Sequence, residues 1–209
     1  TEASAMIEIL NKKKTLDFVL DIIETNVSNI QFISGLNFNE VKKKYKNISI
    51  RCNKNWEKTG PIYSLSKSKI SEDKDLIIIY SDILFRESLF GKILNSKSDL
   101  TIACDINYKD RFKNRDLEDQ KRVEKILLDK KNRNKCIYNK NVNSKHAELL
   151  GIIKIKKNKI FELKKYLHIA NKKKNNLKLS DLLSHFQKLK FNTKIIDSKG
   201  DWSELYNLN

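Results

Sequence analysis

Short, almost wholly apolar runs set between helix-periodic segments place the tightest limit on how this chain can fold. Leu76 to Tyr80 and Leu100 to Cys104 carry hardly a polar position, which suits strands covered on both faces. Between such runs the apolar spacing becomes that of a helix. Leu16, Val19, Leu20 and Ile23 recur in this way after Thr15, a residue able to cap. Ile30 to Ser34 then reads as a strand ended by Gly35, and Asn39 can cap a short helix carrying Val41 and Tyr45. Ile48 to Cys52 is the next strand. Pro61 suits the first turn of a helix whose buried face is Ile62, Leu65 and Ile70, and Leu89, Phe90, Ile93 and Leu94 form another helical stripe. Glu148 to Ile155 reads as a strand, followed by helices around Ile160 to Ile169 and Ser180 to Lys190 and a last strand near Lys194 to Asp197. Alternation of this kind implies an α/β fold, with a mostly parallel sheet covered by helices on both faces.

At 209 residues and 39% hydrophobic content the chain can bury one good core, and nothing in its composition asks for a second domain. No apolar run approaches the ~20 residues that span a bilayer, and no signal peptide is visible, so the reading is a cytoplasmic protein with no membrane partner. Cys52, Cys104 and Cys136 are widely separated and lack the paired spacing of a zinc site, which predicts reduced, structural thiols. The net charge of +17 would suit nucleic acid, but the lysines are scattered rather than gathered in a stripe. A solvated basic surface is expected, without a specific nucleic-acid partner. The stretch 109–143 stands apart as a charged insertion, expected to be mobile. It has few apolar anchors beyond Val123, Ile126, Leu127 and Leu128 and reads as a solvated helix and a flexible connection.

Chemistry concentrates first at Asp82, just beyond the end of the apolar run Leu76 to Tyr80. In an open α/β sheet, ligands bind outside the carboxyl ends of the strands, where a carboxylate can hold Mg²⁺ against a triphosphate. An aspartate in that position can equally cap a following helix. His146, His168 and His185 fall in different elements and are assigned no catalytic role.

Asp82 also belongs to an ordered series of short blocks. These are Asn55 to Thr59 with Ile62 to Leu65, Tyr80 to Phe85, Ile102 to Asp105, Ala147 to Gly151 and Gly200 to Leu205. Taken together and in order they resemble the NTP-transferase family of GT-A-like nucleotidyltransferases. The resemblance is greatest to choline-phosphate and 2-aminoethylphosphonate cytidylyltransferases and to phosphonate-associated nucleotidyltransferase domains. It implies a three-layer α/β/α, Rossmann-like fold with a mixed, mostly parallel central sheet.

The resemblance further implies Mg²⁺-dependent transfer of a nucleoside monophosphate, CMP from CTP, to a small phosphonate or phosphocholine-like acceptor, with release of pyrophosphate. Asp82 matches the family's metal-binding aspartate. Asn55, Thr59, Ser64 and Leu65 match the segment lining the nucleotide, and Asp105 and Glu148 match acidic positions on the acceptor side. Glu204 or Asp201 could supply a second metal ligand. Tyr108 or Trp56 could help to hold a cationic acceptor group. Glu148 can instead be a salt-bridge partner, and Trp202 a core aromatic. The family opens with a strand and a glycine-rich loop that cradles the triphosphate, and Ala5 to Ile9 resembles the segment that follows that loop. The domain 1–209 is therefore expected to lack that strand and loop. Alternatives within the resemblance are a sugar-phosphate nucleotidyltransferase and an inactive member serving as a binding or assembly module.

Overall fold

A computed structural model describes residues 3–111, 113, 123–129, 136–137, 144–173 and 176–205. A 3-10 turn at Ser4–Met6 leads into a hairpin of β1 (Glu8–Leu10) and β2 (Lys13–Lys14). Its two tip residues, Asn11 and Lys12, both have positive φ, as a tight hairpin turn requires. The first helix, α1 (Thr15–Ile23), starts where the Asp17 carboxylate accepts the Lys14 N–H at 2.7 Å, and it buries Leu16, Val19, Leu20 and Ile23 as their spacing predicts. Next come β3 (Gln31–Ser34), α2 (Phe38–Lys44) and β4 (Ser49–Cys52). Asn37, rather than Asn39, stands at the start of α2, in the left-handed region. Then α3 (Pro61–Leu65) carries proline in its first turn.

The chain continues through β5 (Leu76–Ile79), β6 (Ile83–Phe85), α4 (Glu87–Leu94), β7 (Leu100–Asp105) and α5 (Tyr108–Arg111). It ends with β8 (Lys125–Asp129), β9 (Cys136–Ile137), β10 (Ser144–Ile155), α6 (Ile160–Lys173), α7 (Leu179–Lys188), β11 (Thr193–Asp197) and β12 (Trp202–Glu204). Strand β10 organises the six-stranded sheet. Along one side it pairs with β7. Along the other it pairs with β8 over its first half and with β5 over its second. All three pairings are antiparallel; within this sheet, among the described residues, the parallel pair is β7 with β11, and β3 and β4 form a separate parallel pair. The α/β class and the mixed sheet are as expected, but the expected predominance of parallel pairing needs correction. Strands β5, β7 and β11 do run the same way, and β10 is inserted between β5 and β7 in the opposite sense.

Helices cover both faces. One core layer joins Ile102, Cys104, Leu149 and Ile153 of the sheet to Leu163 of α6 and Phe186 of α7. The other joins Ala103, Leu150 and Ile152 to Leu20 of α1 and Phe90 of α4. Neighbouring sheet positions thus feed opposite cores, as strand alternation demands. In the charged stretch, the anchors Ile126, Leu127 and Leu128 lie in strand β8 and not on the expected solvated helix, with Ile126 and Leu128 buried. Pairing with β10 gives these apolar side chains a core face that a solvated helix would not. The rest of that stretch, including the expected mobile connection, lies outside the described residues, apart from α5, Lys113, Val123, Glu124 and β9.

Candidate active site

Strand β5 leaves the sheet at Tyr80, and Ser81 and Asp82 carry the chain into β6. Since a strand and not a helix begins at Ile83, the capping alternative for Asp82 is removed. Strand β6 pairs antiparallel with β12, and the Leu205 N–H donates to the Asp82 carbonyl at 2.8 Å. Asp82 is half-buried, but its carboxylate Oδ1 is buried and, among the described residues, has no hydrogen-bond partner. Burial pushes its carboxyl above the usual carboxylate range. A buried, under-satisfied carboxylate at a strand end is the kind of group that a divalent cation stabilises in its ionised form.

Glu204 lies opposite Ile83 in the same ladder, one position from Asp82. Strand alternation assigns Glu204 to the face of Ile83, and position 205 to that of Asp82. Asp201 is held at the far end of the β6–β12 ladder by Arg86, at 3.0 Å. Among the described residues no group of three or more His, Cys, Asp or Glu gathers as a metal cluster. A metal at Asp82 would therefore need phosphate and water oxygens to complete its shell, as Mg²⁺ ordinarily does.

The residues expected to line the nucleotide converge on one side chain that sequence reasoning missed. Asn53 is almost fully buried. Its amide donates to Thr59 Oγ1 at 3.0 Å and Ser64 Oγ at 2.9 Å, and its carbonyl oxygen accepts the Asn55 N–H at 3.0 Å. Thr59 in turn donates to the Asn55 carbonyl, and the Asn55 amide donates to the Tyr63 hydroxyl. Asn55, Thr59 and Ser64 thus form one polar knot at the start of α3, while Ser64 and Leu65 border a cavity that reaches Tyr80 and Ser81. Trp56, half-exposed in the same loop, packs on Gly35, where a Cβ would stand 2.2 Å from the tryptophan Cβ.

On the acceptor side, Asp105 at the end of β7 and Glu148 on β10 are register partners, and both are buried. The Asp105 carboxylate is committed internally. Arg111 forms an ion pair with it, the Trp202 indole N–H donates to it at 3.0 Å, and the Asn107 N–H donates at 2.9 Å. Trp202 therefore ties the last strand to β7, besides packing on the core. Tyr108 is close enough to Glu148 for that carboxylate, after burial, to push its hydroxyl pKa upward. A second contact missed in the sequence braces the strand end. The Tyr80 hydroxyl donates to Glu124 at 3.1 Å, and Glu124 accepts the Ser180 N–H at 2.6 Å at the start of α7.

No protein-family model matches the chain. A curated relative, CTP:phosphoglutamine cytidylyltransferase of Campylobacter jejuni, is 23% identical over 230 aligned positions, which take in 98% of this chain and 87% of that protein. Among solved structures, the inositol-1-phosphate CTP transferase from T. maritima superposes with a TM-score of 0.68 at 15% identity, over 96% of this chain and 80% of that one. The CTP:phosphocholine cytidylyltransferase from Streptococcus pneumoniae gives 0.60 at 13% identity, over 98% and 85%. These similarities give the chain the nucleotidyltransferase fold and support the resemblance to NTP-transferases. Among the described residues no helix is long and apolar enough to cross a membrane.

Proposed function

We propose that the protein is a Mg²⁺-dependent cytidylyltransferase, moving CMP from CTP to a small phosphorylated or phosphonate acceptor. The observation that carries this reading is the buried, unpartnered Oδ1 of the Asp82 carboxylate at the carboxyl end of β5, among the described residues. The names of the relatives, CTP-using enzymes at both the sequence and the fold level, support the class. In the reaction, an acceptor phosphate or phosphonate oxygen bonds to the α-phosphorus of CTP. The bond from that phosphorus to its bridging oxygen breaks, and pyrophosphate leaves with the electron pair. The protein's part is to hold two anions in line. Asp82 would hold Mg²⁺, and the ion would neutralise phosphate charge; Glu204, turned to the opposite face of the ladder, is not assigned to it. The Asn53 knot fixes the loop from Asn55 to Thr59 and the start of α3, which we assign to the nucleotide.

Glu148 and Tyr108 supply acidic and aromatic character on the acceptor side, beside the Asp105–Arg111 pair. This favours an acceptor bearing an amine or quaternary ammonium, as in a phosphocholine-like or aminophosphonate molecule. Pyrophosphate release would be measured with CTP, Mg²⁺ and, in turn, phosphocholine, 2-aminoethylphosphonate, phosphoglutamine and glucose 1-phosphate. Turnover with one of the amine-bearing acceptors is expected, and its loss in Glu148→Gln. Turnover with the sugar phosphate alone, or a preference for another NTP in calorimetry, rejects the assignment.

A further inference from the structure

In sequence the lysines look scattered, but the fold gathers them. The stretch 156–194, which holds α6, α7 and the turns around them, has twelve lysines and no arginine against only Glu162 and Asp181, a net charge of +10 out of the chain's +17. The stretch 8–51, of similar length, supplies α1 and α2 of the opposite layer with eight basic and five acidic residues, a net charge of +3. Helices α6 and α7 lie on one face of the sheet. Leu163, Leu167 and Ala170 of α6 and Leu182, Leu183 and Phe186 of α7 enter the same core, so the positions opposite them on each helix share one outer surface.

On α6 that surface is the ridge of Phe161, Lys165, His168, Ile169 and Lys172, all of them exposed. Phe161 leaves 56% and Ile169 53% of its surface in water, and Leu189, just after α7, leaves 41%. The Lys165 ammonium lies 4.3 Å from the centre of the Phe161 ring. Lys159 stands over Phe191 at 4.9 Å and the rings of Tyr166 and His185 meet at 4.8 Å, so the end of α7 lies beside the start of α6. Phe161 and Leu189 therefore share one end of the layer. Among the described residues, no carboxylate forms an ion pair with Lys172, Lys188 or Lys190, whereas Lys164 and Lys165 are paired to Glu72 and Glu162.

We propose that this layer, rather than being merely solvated, docks the protein on an anionic membrane surface, with lysines at the lipid phosphates and Phe161, Ile169 and Leu189 entering the interfacial region. Charge complementarity calls for an anionic partner, and the apolar side chains choose among such partners. Against a nucleic acid they would meet mainly phosphates and sugars, and the forked guanidinium suited to those groups is missing from the whole stretch. At a bilayer each of them removes apolar surface from water. Docking in this way leaves the candidate active site open. Ile155, which ends β10 shortly before α6, pairs with Leu76 at the start of β5, while Asp82 follows the other end of that strand.

Co-sedimentation tests this with vesicles of phosphatidylcholine, either alone or with about one-third phosphatidylglycerol. Binding to the anionic vesicles is expected to be about tenfold or more tighter at low salt and to fall as salt rises. The triple variant Lys172→Gln, Lys188→Gln, Lys190→Gln should lose most of that binding. Lys42→Gln, Lys43→Gln, Lys46→Gln, which removes the same charge from the opposite layer, should keep it. Phe161→Ser with Ile169→Ser should weaken binding about fivefold or more at unchanged charge. All eight positions are exposed, and thermal melts verify that each variant is folded. Equal binding to the two kinds of vesicle overturns the proposal, as does equal loss in the two lysine variants. So does unchanged binding in the Phe161→Ser, Ile169→Ser variant. Tighter binding to a mixed-sequence DNA duplex than to anionic vesicles, at the same salt and phosphate concentration, assigns the face to nucleic acid instead. None of these readouts needs turnover, so they stand apart from the assignment of CTP chemistry.

Discussion

Gly151 and Tyr80 are fitted to each other so closely that no other residue than glycine suits the first of them. The Gly151 carbonyl accepts the Tyr80 N–H at 3.0 Å, φ at Gly151 is +72°, and a Cβ there would stand 2.3 Å from the tyrosine Cδ2. The register of β10 against β7 shifts between Leu149 and Ile153, a bulge that re-aims the end of β5 two residues before Asp82. Gly151→Ala is expected to destabilise the fold by about 2–4 kcal/mol, through left-handed strain and displacement of the ring. It should also lower turnover more than its stability loss explains. Urea unfolding and pyrophosphate release check the two parts. Tyr80→Phe, which loses only the bond to Glu124, should cost about 1 kcal/mol.

Asp82→Asn should make the protein more stable and inactive. Burial raises the Asp82 carboxyl above its unfolded value, so its favourable contribution is complete at pH below the ordinary aspartate range and is lost as pH rises through the folded pKa. At neutral pH the ionised group is a liability in the absence of a cation. Replacing it with a neutral amide is expected to add about 0.5–2 kcal/mol and to abolish any stabilisation by Mg²⁺ with CTP. Thermal melts across pH, with and without both ligands, measure this. A lower melting temperature for the variant at pH 7 contradicts it.

How much of this could be read in advance follows from how local each signal is. Leu76 to Tyr80 announces a strand because its apolar character is continuous, and Asp82 is legible because it follows that strand directly. The direction of β10 is not legible, since nothing within Glu148 to Ile155 records which neighbours it meets or in which sense. Asn53 was invisible for a related reason. A single asparagine after Cys52 has no periodicity, and its importance lies in Thr59 and Ser64 being folded back onto it. Glu124 was hidden among the charges of its segment, and only packing against Tyr80 and α7 separates it from a solvated residue.

Lys154 makes the base of the sheet sensitive to acid. Its buried ammonium donates to the Leu94 carbonyl at 2.7 Å and the Ser96 carbonyl at 3.0 Å, and pairs with Asp75 at 3.1 Å. Burial alone would raise the Asp75 carboxyl, but hydrogen bonds from Lys157 and Lys154 outweigh it and hold that carboxyl below its ordinary value. Stability from this pair is therefore present above the ordinary aspartate pKa and is lost as pH falls through the lowered one. Asp75→Asn should flatten the acid limb of the stability curve. Lys154→Met should cost about 2–4 kcal/mol at neutral pH, because two carbonyls at the end of α4 lose their donor. Denaturation midpoints between neutral and acidic pH test both.

Asn53→Ala separates the polar knot from the metal ligand. Removing this almost fully buried side chain takes a partner from the Asn55 N–H, Thr59 and Ser64, which are exposed or half-buried and can turn to water, at an expected cost of about 0.5–1.5 kcal/mol. The loop from Asn55 to Thr59 should then loosen while β5, β6 and Asp82 keep their places, since none of their hydrogen bonds involves Asn53. For a loop that binds nucleotide, the result is a KM for CTP raised about tenfold or more with kcat reduced less, the pattern of lost uniform binding. Asn53→Asp should not rescue it, because a carboxylate can accept from Asn55 but cannot donate to Thr59 and Ser64. A variant with unchanged KM and reduced kcat would move the nucleotide away from this loop.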